Sequence, residues 1–380
     1  MLHRAKKMNP HAVVAAVGCY AQSKGEELQQ DATIDLIIGN NKKKDLLMIL
    51  KEYEAGMEQH LHKVEIGQVS EYEELKIDQM KEHTRAFIKV QDGCNQFCTY
   101  CIIPYVRGRE RSRKIEDVRA EVRWLAASGC REVVLSGIHL SSYGIDLDQG
   151  EKLLSLIRAV HDIEGIERIR LGSLEPTIIT EEFVKELASL IKVCPHFHLS
   201  LQSGSNRTLK RMNRKYTKER YLEKCCILRQ QYENLSLTTD IIVGFPGERA
   251  EDFEESKAFV DKVSFFETHV FPYSRRDGTQ AAKYTEQLTE VVKKERSREM
   301  LALNARKKKE YLQSFLGKEI EILIEKKIML GEKYYWSGHG REYQKAAFLS
   351  EQNLENTLVH AVVVGIVHGD ILICEKKFFD

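Results

Sequence analysis

Three cysteines, Cys94, Cys98 and Cys101, stand at a CxxxCxxC spacing in "DGCNQFCTYC" (92–101). Thiolates this dense bind soft metals, and the spacing suits zinc or an iron-sulfur cluster. A closed zinc site takes four protein ligands, and no cysteine or histidine nearby completes this one at the usual spacing. Three ligands on a four-iron cube instead leave one iron open for a substrate or cofactor. The chain has nine cysteines. An odd number at irregular spacing points to packing, metal binding or catalysis in a reducing compartment, not to disulfides. The adjacent pair Cys225 and Cys226, in the helical stretch "KERYLEKCCILRQQY", is expected to fill core, as are Cys130, Cys194 and Cys374.

The triplet needs elements to hold it. At 380 residues the chain predicts two or three domains. Six β-branched runs, "RAFIKVQ" (85–91), "REVVLSG" (131–137), "IERIRLGS" (166–173), "HFHLSLQ" (196–202), "LTTDIIVGF" (237–245) and "FFETHVFPY" (265–273), alternate with amphipathic helical segments such as "IEDVRAEVRWLAASG". Repeated βα units predict an α/β fold with a parallel sheet, and six of them fit a partial (β/α)6 barrel over 85–310. Chemistry in such folds sits at the C-terminal strand ends. The triplet, "SGIHLSSYG", "GSLEP", "LQSGS", "GFPGE" and "FPYSRRDGT" all fall there.

Residues 1–54 show only two strands, "HAVVAAVG" and "TIDLIIGN", a poor core by themselves. Residues 55–84, polar and rich in Glu, are expected to be a linker. After a long charged helix, short strands with glycine turns predict a small antiparallel all-β barrel within 311–380. The net charge is +1, but "VRGRERSRK" (106–114), "LKRMNRKYTKER" (209–220) and "NARKKKE" (304–310) are locally basic and suit phosphates. No stretch has the apolar length of a membrane span and the start lacks a signal-peptide pattern, so a cytoplasmic protein is expected.

With Tyr100 just before its last cysteine, and placed after the first barrel strand, the triplet resembles the signature of the radical S-adenosylmethionine (SAM) enzymes. The longer stretches "IKVQDGCNQFCTYCIIPYVRGRERSR", "VVLSGIHLSSYG", "HFHLSLQSGSNRTLKRMNRKYT", "TDIIVGFPGE" and "HVFPYSRRDGT" resemble the methylthiotransferases. Within that family "QDGCNQFCTYCIIPY", "GIHLSSYG" and "FPYSRRDGT" look most like the branch acting on N6-threonylcarbamoyladenosine in tRNA. The C-terminal barrel resembles the RNA-binding TRAM domain.

The resemblance implies that Cys94, Cys98 and Cys101 hold a [4Fe-4S] cluster whose open iron takes SAM. It implies that Gly137 offers its backbone to the methionine amine, that Ser173, Glu175, Gln202 and Ser203 hydrogen-bond methionine or ribose, and that Gly244 and Gly247 shape the adenine pocket. Gly and Ser also serve plain turn geometry at any βα loop. Asp240 is expected to point into the barrel; His139 and His198 carry no assigned role. Cys19, in "VGCYAQ", matches the last of three cysteines that hold an auxiliary cluster in the family. The other two would lie upstream, so an incomplete start is expected, with radical chemistry kept and sulfur insertion in doubt.

The expected function is methylthiolation of N6-threonylcarbamoyladenosine at tRNA position 37, with an electron donor such as a flavodoxin or ferredoxin. The anticodon arm would be held by Arg107, Arg109, Arg111, Arg113, Arg211 and Arg214 together with the small barrel. N6-isopentenyladenosine or a ribosomal-protein aspartate are alternative substrates, and a noncatalytic, zinc-containing RNA-binding protein is the alternative of a different class.

Overall fold

The computed structural model describes residues 2–75, 84–147 and 150–376. Its N-terminal part is a parallel sheet of β1 (Ala15–Val17), β2 (Leu36–Ile38) and β3 (Leu61–His62), in that order. β3 lies in the stretch expected to be a linker, so the predicted two-strand core is corrected to three strands. Because β2 is central, both its faces are covered: Ile37 packs with Ala21 and Leu61, Leu36 and Ile38 with Ile49. Residues 76–83 of the expected linker are outside the described residues.

Next come β4 (Arg85–Asp92), β5 (Arg111–Ser112), β6 (Glu132–Gly137), β7 (Arg168–Leu171), β8 (His196–His198), β9 (Ser236–Val243) and β10 (Glu267–Pro272). All six predicted barrel strands form, in two sheets of order β5-β4-β6-β7 and β8-β9-β10. Single parallel bridges, Ile169 to Val193 and Leu174 to Leu199, link the two sheets, giving the partial barrel. The short β5, antiparallel to β4, was not expected. Alternation along each strand sends one set of side chains outward to the helices and the other into the lumen. On β9, Leu237, Ile241 and Val243 join the outer core with Phe253, Phe259 and Leu228. Thr238, Asp240 and Ile242 therefore face the lumen.

The helix Glu290–Gln313 then leads to β11 (Glu319–Leu330), β12 (Lys333–Gly340), β13 (Lys345–Phe348), β14 (Leu358–Val367) and β15 (Ile371–Glu375). They close into a five-stranded barrel of order β11-β12-β13-β15-β14. It is not wholly antiparallel as expected, since β13 and β15 run parallel.

This small barrel docks on the N-terminal ends of the parallel strands. Arg168 donates to Glu321 and to the His339 carbonyl, Arg170 to the carbonyls of Gly340 and Arg341, and Arg85 pairs with Glu325. Glu132, fully buried, receives Arg85 and Arg170. Tyr343 stacks on both His196 and His339, with ring centroids 4.8 and 4.9 Å apart. One end of the parallel barrel is thus plugged, while the cysteine loop occupies the other. Among the described residues no helix is long and apolar enough to cross a membrane. Cys130, Cys194, Cys225 and Cys374 are buried as expected, but Cys226 is exposed. Adjacent helical residues point about 100° apart, so one core cannot take both.

Candidate active site

The cysteine loop begins where β4 ends. Asp92 accepts from the Gly93 amide at 2.9 Å and from Lys89 Nζ at 2.9 Å. Gly93 has φ +74°, and a Cβ there would lie 1.8 Å from the Arg109 carbonyl oxygen, so only glycine fits this turn. Beyond it the loop is braced by other mouth loops. Cys94 N donates to Gly108 O (3.1 Å), Thr99 N to Met212 O (3.0 Å), and Ala281 N to Thr99 O (2.8 Å). Asn213 Nδ2 donates to Phe97 O at 3.0 Å. Tyr100 packs edge-on against Phe245, beside Met212, Tyr273 and Ile242.

All three thiols are half-buried and no disulfide joins them. Burial pushes the Cys94 thiol up to about 12 against the opposing Gln96 amide, and burial likewise raises Cys101. Burial thus disfavours free thiolates at Cys94 and Cys101, which a metal centre would stabilise. The surroundings fit such a centre. The Gln96 amide lies 3.4 Å from Cys94 Sγ, and Arg214 Nη1 lies 3.2 Å from Cys98 Sγ. Donors aimed at ligand sulfurs are what a bound iron-sulfur cluster uses. His139 and Glu110, paired at 3.4 Å, bring ligand atoms within 4.8 Å of Cys94 Sγ. That histidine was invisible to local spacing because the β6 loop delivers it.

Arg214 was expected on the RNA surface, and the structure corrects this. Its side chain is 5% exposed, donating to Cys98, to Tyr216 Oη (3.0 Å) and to the Glu175 carboxylate. Glu175 is thereby the anchor of Arg214. Arg111 and Arg113 are corrected likewise: both are buried, Arg111 donating to the Arg107 carbonyl and Arg113 pairing with Glu74 and Glu121. Arg107 bridges inward too, to Asp92 Oδ2 at 3.4 Å and to Cys19 Sγ at 3.0 Å. Cys19 therefore abuts the cysteine loop's own support. Arg109 is exposed above the Phe97 ring, and Arg211, partly exposed, pairs with Glu286. The 304–310 stretch spends Arg306, Lys307 and Lys308 on Asp261, Glu310 and Glu267. Two cations not singled out from sequence, Arg275 and Arg276, are exposed in the loop after β10.

The remaining expected site residues also sit at this mouth. Gly137 ends β6, where a Cβ would meet the Gln91 side chain at 2.9 Å. Gln91 Oε1 in turn accepts from the His139 amide. Ser173 is exposed. Gln202, at φ +70°, bridges to β9 by donating to Asp240 O and accepting from Ile242 N. Ser203 is buried and accepts from the Ser205 amide. Gly244 and Gly247, at φ +70° and +78°, pack against Lys293 and Arg211.

Residues 88–260 match the radical SAM superfamily model. Over 337 residues the chain is 43% identical to "Threonylcarbamoyladenosine tRNA methylthiotransferase MtaB" of Aquifex aeolicus, spanning 88% of this chain and 81% of that one. The chain belongs to the radical SAM tRNA methylthiotransferases. The enzyme is also 36% identical to the MtaB of Bacillus subtilis (96% and 81% covered). It is 39% identical to the tRNA-2-methylthio-N(6)-dimethylallyladenosine synthase of Acetivibrio thermocellus (95% and 75% covered). The solved structure of the radical SAM methyltransferase TsrM from Kitasatospora setae, 15% identical, superposes with a TM-score of 0.55 over 71% of this chain and 56% of that one, a likeness of fold. Family membership removes the noncatalytic zinc-protein reading.

In this family a [4Fe-4S] cluster, which Cys94, Cys98 and Cys101 would hold, supplies one-electron reductive cleavage of SAM. The chain's own residues do the rest. Arg214 would offset negative charge at Cys98, the braced loop fixes the ligands, and the small barrel packs on the far end of the parallel barrel.

Proposed function

We propose that the enzyme replaces the C2 hydrogen of N6-threonylcarbamoyladenosine at position 37 of tRNA with a methylthio group. One SAM donates the methyl group, and cleavage of another provides the abstraction of that hydrogen. The observation that carries the reading is the relative of 43% identity over most of the chain that bears this substrate in its name. The mouth loops "GIHLSSYG" and "FPYSRRDGT" support it, because they frame the opening through which the base must enter. Exposed Arg109, Lys215, Arg275 and Arg276 lie on loops of that face and suit the phosphates of an anticodon arm. The C-terminal barrel adds a TRAM-like RNA surface, and a flavodoxin or ferredoxin supplies electrons. Cys19, 3.0 Å from Arg107 Nε beside the cysteine loop, is one of the three thiolates that the resemblance implies for a sulfur-supplying auxiliary cluster, and alone it cannot hold one.

The test compares tRNA nucleosides of a gene-deletion strain with its parent by mass spectrometry. Loss of 2-methylthio-N6-threonylcarbamoyladenosine with its precursor retained is expected. Unchanged levels, or loss of the methylthio isopentenyl nucleoside instead, contradict the reading.

A further inference from the structure

The lumen below the cysteine loop carries a polar group that the chemistry at the mouth does not use. His198 on β8, Asp240 on β9 and His269 on β10 bring one ligand-type atom each within 4.8 Å of one another. Asp240 and His269 are register partners on adjacent parallel strands. The His198 and His269 rings stack with centroids 5.8 Å apart, and His198 Nε2 faces Asp240 Oδ2 at 3.4 Å. Thr238 Oγ1, 3.0 Å from His198 Nδ1, fixes the ring from behind. His198 Nε2 is buried without a hydrogen-bond partner, whereas His269 is exposed, so the group opens toward solvent on one side. Its nearest acceptor, Asp240 Oδ2 at 3.4 Å, is not in hydrogen-bonding geometry, so the nitrogen has hydrogen-bonding capacity left for a ligand.

Its depth is set by β9. Ile242, on the same lumen face as Asp240, packs in the group that contains Tyr100 and Phe245. Asp240 lies two residues further down, roughly 7 Å at ~3.3 Å per residue. A nucleobase held at the level of Ile242 would have these side chains within reach of its substituent.

We propose that His198, Asp240 and His269 form the pocket that receives the N6 substituent of the substrate adenosine, selecting a polar, carbamoyl-linked amino acid over an apolar chain. The inference rests on the substrate reading above and deepens it. A carbamoyl amino acid offers ureido N–H and C=O, a hydroxyl and a carboxylate, which match the donors and acceptor of two imidazoles and a carboxylate. An isopentenyl chain offers none of these. It would strip water from the imidazoles and Asp240 without replacing the hydrogen bonds, the kind of mismatch that discriminates strongly. Identity to the relatives leaves the two substrates undecided, at 43% and 39%; these three side chains are a local determinant.

The experiment measures binding of the cluster-reconstituted chain to synthetic anticodon stem-loops. They carry N6-threonylcarbamoyladenosine, N6-isopentenyladenosine or plain adenosine at position 37. The wild type is expected to favour the threonylcarbamoyl loop over the isopentenyl loop by roughly tenfold or more. His269→Leu, at an exposed position, and separately His198→Leu should cut that ratio to within about twofold while the plain-adenosine affinity moves less. His269→Asn, which keeps a polar edge, should recover part of the ratio. Iron content and melting temperature show that each variant is folded. The inference is overturned if both leucine variants keep the wild-type ratio, or if affinity for all three loops falls in parallel, as a structural role would produce. If the wild type itself shows no preference or favours the isopentenyl loop, the substrate reading fails and the pocket assignment with it, whatever the variants do.

Discussion

Removing the guanidinium behind Cys98 should make the cluster harder to reduce. The variant is Arg214→Met combined with Glu175→Gln, so that no buried carboxylate is left without its cation. Arg214 lies 3.2 Å from Cys98 Sγ with a side chain 5% exposed, so little water is available to screen it. Two unit charges at that distance interact by about 5 kcal/mol at an effective dielectric of ~20, which is an upper bound. The electron taken up by a four-iron cluster is spread over the whole cube, and a charged hydrogen bond has a net value of about 1.5–3 kcal/mol. A difference between oxidation states of about 1–2 kcal/mol follows, or roughly 40–90 mV for a one-electron couple. Loss of the nearer positive charge disfavours the reduced, more negative form, and the farther Glu175 carboxylate lost with it offsets part of that, so the midpoint should move down by at most that amount. A potentiometric titration followed by electron paramagnetic resonance reads it directly, with iron content as the control. Arg214→Lys, retaining the charge, should recover part of the shift. A midpoint within about 10 mV of wild type in a fully loaded double variant would refute the reasoning.

Other consequences follow from the same geometry. Burial would raise the carboxyl of Glu132, but Arg170 and Arg85 outweigh it and hold it at about 2, against an ordinary 4.5. The folded-state value is depressed, so this stabilisation is full above the unfolded pKa and is lost as pH falls from about 4.5 towards 2. Glu132→Gln should cost roughly 3–5 kcal/mol in denaturant unfolding at neutral pH, with the gap to wild type narrowing below pH ~4.5. Gly93→Ala forces a Cβ to within 1.8 Å of the Arg109 carbonyl oxygen, and should leave a folded protein with sharply reduced iron content after reconstitution. Arg275→Ala and Arg276→Ala together should lower the salt slope of tRNA binding by about 1–2 phosphate contacts; an unchanged slope would place the RNA elsewhere.

What the sequence revealed and what it hid divide along physical lines. The six barrel strands were legible because β-branched runs and amphipathic helices are local patterns, and the cysteine triplet because its ligands lie within one loop. β3 is only Leu61 and His62, too short to carry a pattern, and it exists because β2 offers an unpaired edge. The arginines misled for a different reason. A sequence shows a cation but not the carboxylate that folding sets beside it: Glu74 lies 39 residues from Arg113, and Glu175 39 residues from Arg214. Asp240 was read as lumen-facing from its strand, while His269 gained meaning only when register placed it opposite Asp240.

The most direct measurement of the central claim is reductive SAM cleavage by the anaerobically reconstituted chain, alone and with Cys94, Cys98 and Cys101 together replaced by alanine. The account predicts 5'-deoxyadenosine and visible charge-transfer absorption from the wild type under reductant, and neither above background from the triple variant. A triple variant that still cleaves SAM, or a fully iron-loaded wild type that does not, would contradict it.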